Sequence, residues 1–272
     1  MTSPGHRADL DTGTTTVTAV DRALDSAAND LPLTGERTVP GVLLERYWYL
    51  RHEVAYGWLP RWLPPAGLVI EAGCGEGYGA ALLSDAGFQV IAVDDEEAVV
   101  DHVRRRYPQV EVMRAGLDRL PIATQRADAV VSLQVIEHLW DLSGFLAESA
   151  RVLRSGGVIV VSTPNRPTFS PGLARGEKPT NPFHVEEFDA EQVREMLEAA
   201  GLRDVSVLGV HHGGRIRRWE AQHGSIVAAH VEAVMTGVWN PALLELLPTL
   251  EVSDFELGQA SEALDLIGIG VN

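Results

Sequence analysis

The fold is decided by residues 68–79, which read LVIEAGCGEGYG. The stretch begins as an apolar run that ends in the acid Glu71, and closely spaced glycines follow. A buried strand that leads through a glycine-rich turn into a helix is typical of α/β proteins that bind nucleotides. Glycine suits such a turn because it lets the backbone adopt unusual geometry and approach a ligand closely.

The spacing of these glycines argues against a dinucleotide. The dinucleotide fingerprint places glycines at its first, third and sixth positions. Counted from Gly73, the third position is Gly75, but the sixth is Tyr78, and Gly77 comes one position too early. We therefore expect no pyrophosphate at this helix. Glu71 is instead placed to face the ammonium group of an amino-acid moiety, directly or through water.

A second acid follows the next apolar run, at Asp94. A carboxylate at the end of the second strand can accept hydrogen bonds from both hydroxyls of a ribose. Together, the glycine loop and Asp94 predict a site for an adenosine that carries a charged amino acid.

Apolar runs and amphipathic segments alternate along most of the chain, which predicts a Rossmann-like α/β fold with a seven-stranded sheet. A helix is predicted before the sheet, over Val42–Leu63, and an insertion of about residues 211–261 before the last strand. We expect this insertion to cover the substrate pocket. The predicted strands are Gly67–Ala72, Gln89–Val93, Gln109–Met113, Ala127–Leu133, Gly156–Ser162, Val205–Val210 and Leu264–Val271. The other predicted helices are Gly77–Ala86, Glu96–Arg106, Leu142–Leu153, Ala190–Ala200 and Gly224–Thr236.

Charge and composition restrict the partners. The 38 acidic and 22 basic side chains give a net charge of −16, which disfavours a nucleic-acid partner and suits a neutral acceptor. No apolar run reaches the roughly 18 residues that a membrane span needs. The only cysteine, Cys74, cannot form an internal disulfide, so we expect a cytoplasmic protein. The oligomeric state stays open, a homodimer included.

The chain resembles the class I S-adenosylmethionine-dependent methyltransferases over about residues 42–210. The resemblance rests on the glycine loop, the ribose acid and the later stretch Val135-Ile136-Glu137-His138. It implies S-adenosylmethionine as the cofactor, a methyltransferase domain over residues 31–272 and a helical lid formed by the segment before the sheet. Residues 1–30, rich in small and polar side chains, are expected to be disordered.

The same resemblance implies a set of cofactor-binding residues. By this resemblance, Glu71 and the loop glycines bind the methionine part of the cofactor, Asp94 binds its ribose, and Asp95 and Leu117 lie beside its adenine. Gln134 lies under the cofactor at the end of the fourth strand. The implied cofactor-binding residues are Glu71, Gly73, Gly75, Asp94, Asp95, Leu117 and Gln134.

Glu137 and His138 are the candidate catalytic residues, because they follow the fourth strand at the edge where such sheets bind ligands. An alcohol acceptor needs a general base or a cation that lowers its pKa. His138 can serve as the base. Alternatively, relatives that act on vicinal diols imply a metal site, here Glu137, His138 and the distant His184, for Mg²⁺ or Mn²⁺. A third interpretation is that Glu137 and His138 only cap the turn and the helix that follows.

Several further segments resemble one actinobacterial subgroup of methyltransferases, those associated with mycobacterial methylglucose lipopolysaccharide and, more loosely, with mycofactocin oligosaccharides. The segments are residues 34–40, 162–166, 181–184 and 211–213. This resemblance implies O-methylation of a sugar hydroxyl on an oligosaccharide or polysaccharide. Two alternatives remain: a methyltransferase of a quinone or specialised small-molecule metabolite, and a non-catalytic protein that only binds the cofactor.

Overall fold

The computed structural model describes Leu31 and residues 37–272 and shows an eight-stranded sheet with helices on both faces. The expected disorder of residues 1–30 falls outside the described residues. The strands are β1 Leu68–Ala72, β2 Gln89–Asp94, β3 Glu111–Arg114, β4 Ala127–Leu133, β5 Leu153–Pro164, β6 Arg203–His212, β7 Phe255–Gln259 and β8 Asp265–Val271. The order across the sheet is β3-β2-β1-β4-β5-β8-β6-β7.

Strands β1 to β5 run parallel, whereas β8 lies antiparallel between β5 and β6. All seven predicted strands are present. The predicted count of seven is wrong, because β7 pairs antiparallel with β6 and forms one edge of the sheet. Its five residues, Phe-Glu-Leu-Gly-Gln, contain only two large apolar side chains and a glycine. Such a short edge strand carries little of the pattern by which buried strands are recognised.

The long helix predicted over Val42–Leu63 is divided into three pieces. An α-helix, α1, covers Arg46–Trp58, with short 3-10 helices before and after it. Pro60, in the second of these, removes a backbone donor and limits the α-helix. The other helices are α2 Tyr78–Asp85, α3 Glu97–Arg106, α4 Leu142–Val152, α5 Arg166–Phe169, α6 Ala190–Ala199, α7 Gly214–His223, α8 Ile226–Thr236 and α9 Pro241–Leu246.

The core consists of two apolar clusters, one on each face of the sheet. Helices α1 to α3 contribute to the first cluster, and α4 and α6 contribute to the second. Strand β4 faces both, since nearly all of its residues are fully buried. Burial on both faces explains why the central strands are continuous apolar runs.

The insertion contains α7, α8, α9 and β7, and it packs into the first cluster. Ile216, Ile226 and Leu243 are fully buried there. The insertion also holds α1, because the Arg46 guanidinium donates two hydrogen bonds, of 2.9 and 2.6 Å, to the carbonyl of Leu250. These helices are therefore part of the folded core rather than a detached flap.

No helix among the described residues combines the length and the apolar character that crossing a bilayer requires.

Candidate functional site

A cavity of about 570 Å³ opens at the carboxyl ends of β1, β2 and β4. This is the edge at which open α/β sheets bind ligands, and the volume suits a cofactor-sized molecule. Its lining comes from four segments: residues 37–56 before the sheet, the glycine loop, the ends of β2 and β3, and residues 133–145. No residue of the insertion lines this cavity within the described chain, so the expected cover over the substrate pocket remains a prediction.

The glycine loop forms one wall of the cavity, and its glycines are required for different steric reasons. Gly73 and Gly75 have left-handed φ values of +79° and +52°. A Cβ at Gly75 would meet nothing within 4 Å, because this position faces the cavity, whereas a Cβ at Gly73 would lie 2.7 Å from Val135. A Cβ at Gly79 would overlap the Glu71 carboxylate and the Tyr56 hydroxyl. Gly75 thus leaves room for a ligand, while Gly79 lets helix α2 approach β1.

Asp94 lines the cavity with its carboxylate already oriented. One oxygen accepts a hydrogen bond of 3.0 Å from the Gly75 amide, and the other accepts one of 3.1 Å from the Glu96 amide. A carboxylate has about four lone-pair sites, so both oxygens retain capacity for the hydroxyls of a ribose. Burial raises the pKa of Asp94 above its usual value.

The predicted adenine end is more open. Asp95 is exposed and Leu117 is half-buried, and both line the cavity. Gly116 and Asp118 lie beside them on the same wall. A Cβ at Gly116 would come within 2.7 Å of an Asp118 carboxylate oxygen, so the glycine makes room for this acid.

Glu71 does not line the cavity, unlike the other six predicted cofactor residues. It is 1% exposed and accepts a hydrogen bond of 2.6 Å from the Tyr56 hydroxyl. Its second oxygen is buried without a hydrogen-bond partner among the described residues. Burial raises the pKa of Glu71 to about 8. In this structure, Glu71 lies behind Tyr56 and accepts the hydrogen bond from its hydroxyl. Tyr56 lines the cavity, whereas Glu71 does not.

Polar and aromatic side chains from before the sheet form another wall, which the sequence analysis did not assign. The Tyr78 hydroxyl lies 3.2 Å from the Thr38 hydroxyl and 3.1 Å from Nδ1 of His52. Arg37 also lines the cavity and forms an ion pair of 2.7 Å with Glu96. Their only sequence signal was the unusual density of polar and aromatic side chains before the glycine loop. Whether α1 acts as a lid stays a prediction.

Gln134 lies on the cavity wall directly after β4. Its φ of +57° is unusual for a residue other than glycine. Its side-chain amide nitrogen, Nε2, donates to the Ser162 hydroxyl at 3.2 Å and to an Asp265 carboxylate oxygen at 3.3 Å. These bonds hold the left-handed turn that leads the chain from β4 toward Glu137.

Glu137, His138 and His184 meet at one side of the cavity, although His184 is remote in sequence. One potential ligand atom from each lies within 4.8 Å of the others. Nε2 of His138 is 4.0 Å from a Glu137 carboxylate oxygen, and the two imidazole ring centres are 5.1 Å apart. His138 lines the cavity itself, whereas Glu137 and His184 lie behind it. The structure therefore brings together the residues that the resemblance implied for a metal.

Hydrogen bonds made by Nδ1 position the rings of both histidines. Nδ1 of His138 donates to the Phe183 carbonyl at 2.9 Å, and Nδ1 of His184 donates to Glu187 at 2.8 Å. Nε2 is then the basic nitrogen of each ring. In addition, the Asn181 amide lies 3.0 Å from Nε2 of His184. Histidines that bind metals through Nε2 commonly donate from Nδ1 in this way.

The carboxyl group of Glu137 is 1% exposed, and one of its oxygens has no hydrogen-bond partner among the described residues. Burial raises its pKa to about 8, with Arg51 acting in the opposite direction. Arg51 is itself buried and forms an ion pair of 2.8 Å with Asp265. A carboxylate that is buried without full compensation favours a nearby cation.

The two histidines of the segment 211–213 form hydrogen bonds away from the cavity. His212 joins Tyr47 at 2.8 Å and Glu220 at 3.0 Å, and His211 bonds to the Gln259 carbonyl at 2.7 Å. Cys74 lines the cavity, but burial raises the pKa of its thiol well above the usual value, so it is not poised to react.

Comparison with known proteins agrees with this geometry. A family model described as a methyltransferase domain matches residues 70–161. A probable S-adenosylmethionine-dependent methyltransferase of Mycolicibacterium smegmatis is 48% identical over 92% of this chain and 98% of its own length. A similarly described protein of Mycobacterium tuberculosis is 48% identical over 89% of each chain. A methyltransferase structure from Archaeoglobus fulgidus, 20% identical, matches with a TM-score of 0.54 over 81% of this chain and 94% of that chain.

The sheet and its helices define a Rossmann-like α/β protein, with a cofactor-sized cavity at the carboxyl ends of its parallel strands. With nearly half of its residues identical to full-length relatives, the chain belongs to the S-adenosylmethionine-dependent methyltransferases. It is an enzyme, and S-adenosylmethionine is its cofactor. The cavity fits this molecule, because it offers an oriented acid for a ribose and a loop without side chains at Gly75.

Proposed function

We propose that this enzyme methylates a hydroxyl group of an oligosaccharide or polysaccharide, and that Glu137, His138 and His184 bind a divalent cation beside the cofactor. The observation that carries the proposal is the meeting of these three side chains at the cavity, with ligand atoms within 4.8 Å of one another. In this proposal the cofactor occupies the cavity between the glycine loop, Asp94 and Leu117, with Gln134 below it.

An acceptor hydroxyl needs this kind of help. S-adenosylmethionine supplies a methyl group on a sulfonium, which a weakly acidic alcohol attacks slowly unless its proton is withdrawn. A cation at the three residues would lower the pKa of the alcohol and orient it. Adjacent hydroxyls of a sugar are suited to chelation, whereas a neutral amine would need no such site.

The three ligand groups fit a cation that is intermediate between hard and soft. Two imidazoles and one carboxylate suit Mn²⁺ better than Mg²⁺, since Mg²⁺ prefers oxygen ligands. The unpaired oxygen of Glu137 and the Nδ1 contacts of both histidines support the assignment. The Asn181 amide would have to turn away from Nε2 of His184 to admit the cation.

A second activation mechanism has its own support. The Phe183 carbonyl holds Nδ1–H of His138, which makes Nε2 the basic nitrogen of a side chain on the cavity wall. His138 would then take the proton of the acceptor without a cation. The saccharide acceptor is common to both mechanisms, and the net charge of −16 agrees with a neutral acceptor of this kind.

The test uses a radiolabelled methyl donor, a panel of glucose oligosaccharides and a parallel panel of phenols and quinols. We expect label in the oligosaccharides, loss of activity with a chelator and recovery with Mn²⁺. Glu137→Gln, His138→Asn and His184→Asn should each lower kcat by about 100-fold, since loss of even the residues that support metal ligands commonly costs roughly 10- to 100-fold. His223→Gln, at an exposed histidine outside the cavity, is the matched control and should have no effect.

A binding measurement separates the cation from the base without relying on turnover. Titration of Mn²⁺ into the protein, followed by electron paramagnetic resonance, should show one site that each of the three variants weakens. Full activity in chelator, no Mn²⁺ binding and a loss confined to the His138 variant would assign His138 as the base. Transfer to phenols and to no saccharide would refute the acceptor class.

A further inference from the structure

Trp140 is the most exposed large apolar side chain in the described part of the protein, with 90% of its surface accessible. It lines the cofactor cavity, as do its neighbours Leu139 and Asp141 and the candidate catalytic residue His138. Trp140 therefore lies at the solvent side of the cavity wall, close in sequence to the atoms assigned to the reaction. A tryptophan in such a position presents a flat apolar face to whatever enters the cavity.

The backbone on both sides of Trp140 is hydrogen-bonded. On one side, the amides of His138 and Leu139 donate to carbonyls in the preceding turn at 2.9 and 3.3 Å. On the other side, Asp141 caps helix α4 and accepts a hydrogen bond of 2.8 Å from the Gly144 amide. Hydrogen bonds on both sides fix the direction in which the indole leaves the chain. The exposed ring is thus carried by a hydrogen-bonded stretch of backbone rather than by the tip of a loose loop.

The chemistry of the two neighbouring surfaces defines what fits between them. Glu137, His138 and His184 form a polar region that suits hydroxyl groups, while Trp140 offers only an apolar plane and one ring N–H. A pyranose has hydroxyls around its edge and C–H groups on its faces, so it matches both surfaces. A single exposed side chain is far smaller than a protein interface, which typically buries about 800 Å² on each partner.

From this arrangement, and resting on the saccharide acceptor proposed above, we infer that Trp140 binds a second sugar ring of the acceptor. The ring that receives the methyl group lies toward the three polar residues, and its neighbour in the chain stacks on the indole. Trp140 lies at the exposed rim, whereas His138 is 24% exposed and Glu137 is buried. An acceptor of two or more rings can place one ring at the polar residues and the next ring against Trp140 at the rim.

The experiment measures steady-state kinetics on glucose oligomers of one to six rings with Trp140→Ala, Trp140→Tyr and the wild type. Wild-type KM should fall when a second ring is added. Trp140→Ala should raise KM about tenfold for acceptors with two or more rings and remove this dependence on length. The change in KM for the one-ring acceptor should be much smaller than the change for the longer acceptors. Trp140→Tyr keeps a flat ring and should recover most of the binding.

Two controls accompany these variants. Met235→Ala removes another apolar side chain, 82% exposed, from a position that does not line the cavity, and it should leave KM unchanged for every acceptor. As the second control, the affinity of each variant for S-adenosylhomocysteine is measured, which separates a change in cofactor binding from a change in acceptor binding.

The inference is overturned if wild-type KM does not depend on the number of rings, or if Trp140→Ala affects short and long acceptors equally. It is also overturned if neither is affected. Absence of methyl transfer from the wild type to any saccharide is a different result, because it refutes the proposed function and, with it, the second-ring site.

Discussion

At the scale of single residues, two buried glutamates have strongly raised pKa values. Glu71 and Glu137 are each 1% exposed, and burial raises the pKa of each to about 8. A carboxyl group buried in this way favours its neutral form near neutral pH, which makes the folded state sensitive to alkali. Glu71 is the simpler case, because it lies behind the cavity wall and does not belong to the proposed cation site.

The first prediction concerns Glu71→Gln and the pH dependence of stability. The carboxyl titrates near 4.5 in the unfolded chain and near 8 in the folded protein. Between these values only the folded protein holds the proton, so wild-type stability falls as pH rises from about 4.5 to about 8. The glutamine removes this loss and can still accept the hydrogen bond from Tyr56. Near pH 5 the two proteins should be similar, and near pH 8 the variant should be more stable by a few kcal/mol, on the order of 2 to 3.

Thermal unfolding without cofactor from pH 5 to pH 8.5 measures this difference. Glu96→Gln is the control, because the Glu96 side chain is 52% exposed and should leave the pH profile as in the wild type. A Glu71→Gln profile parallel to that of the wild type would show that Glu71 is ionised in the folded protein at neutral pH.

At the scale of elements, helix α1 is joined to the antiparallel strands in the C-terminal part of the sheet. Its Arg51 reaches Asp265 at the start of β8, and its Tyr47 reaches His212 at the end of β6. Arg51 also lies between two aromatic rings, with its guanidinium carbon 4.8 Å from the ring centres of both Trp48 and Phe169. The helix that forms one wall of the cavity is thus attached to strands that precede and follow the insertion.

The second prediction tests the buried pair at this junction. Arg51→Met should lower the free energy of unfolding by about 3 to 5 kcal/mol, because it leaves Asp265 buried without its cation. Arg51→Met combined with Asp265→Asn should be more stable than Arg51→Met alone, since the uncompensated charge is removed. Urea unfolding of the two single variants and the double variant measures the coupling. Additive losses would mean that the two groups do not interact in the folded protein.

At the scale of the whole molecule, the insertion and the sheet share one core. Ile226 of α8 and Leu243 of α9 are fully buried in the same cluster as Leu83 of α2. A cover that opened independently would not be expected to place its apolar side chains in the main core. The described structure therefore favours a single cooperative unit over residues 37–272.

The third prediction follows from this shared core. Ile226→Ala and Leu243→Ala should each cost about 2 to 5 kcal/mol, as buried residues of this size do elsewhere, and should match Leu83→Ala. All three variants should unfold in one transition, measured by both circular dichroism and tryptophan fluorescence. Two separate transitions, with only the earlier one shifted by Ile226→Ala, would show that the insertion unfolds on its own.

The sequence by itself determined the class of fold and located the edge of the sheet at which the cavity opens. Seven strands, the glycine loop and Asp94 were predictable because each depends on local features: a buried apolar run, a turn that needs glycine, and an acid where a strand ends. Glu137 and His138 were predictable for the same reason, since they follow β4 directly.

Only the tertiary structure decided which remote side chains meet. It turned Glu71 away from the cavity toward Tyr56, brought Thr38 and His52 to Tyr78, and placed His184 beside Glu137. It also added β7 as an edge strand and built the insertion into the core. Hydrophobic periodicity reports burial within one element, whereas these outcomes depend on how elements far apart in the chain pack against one another.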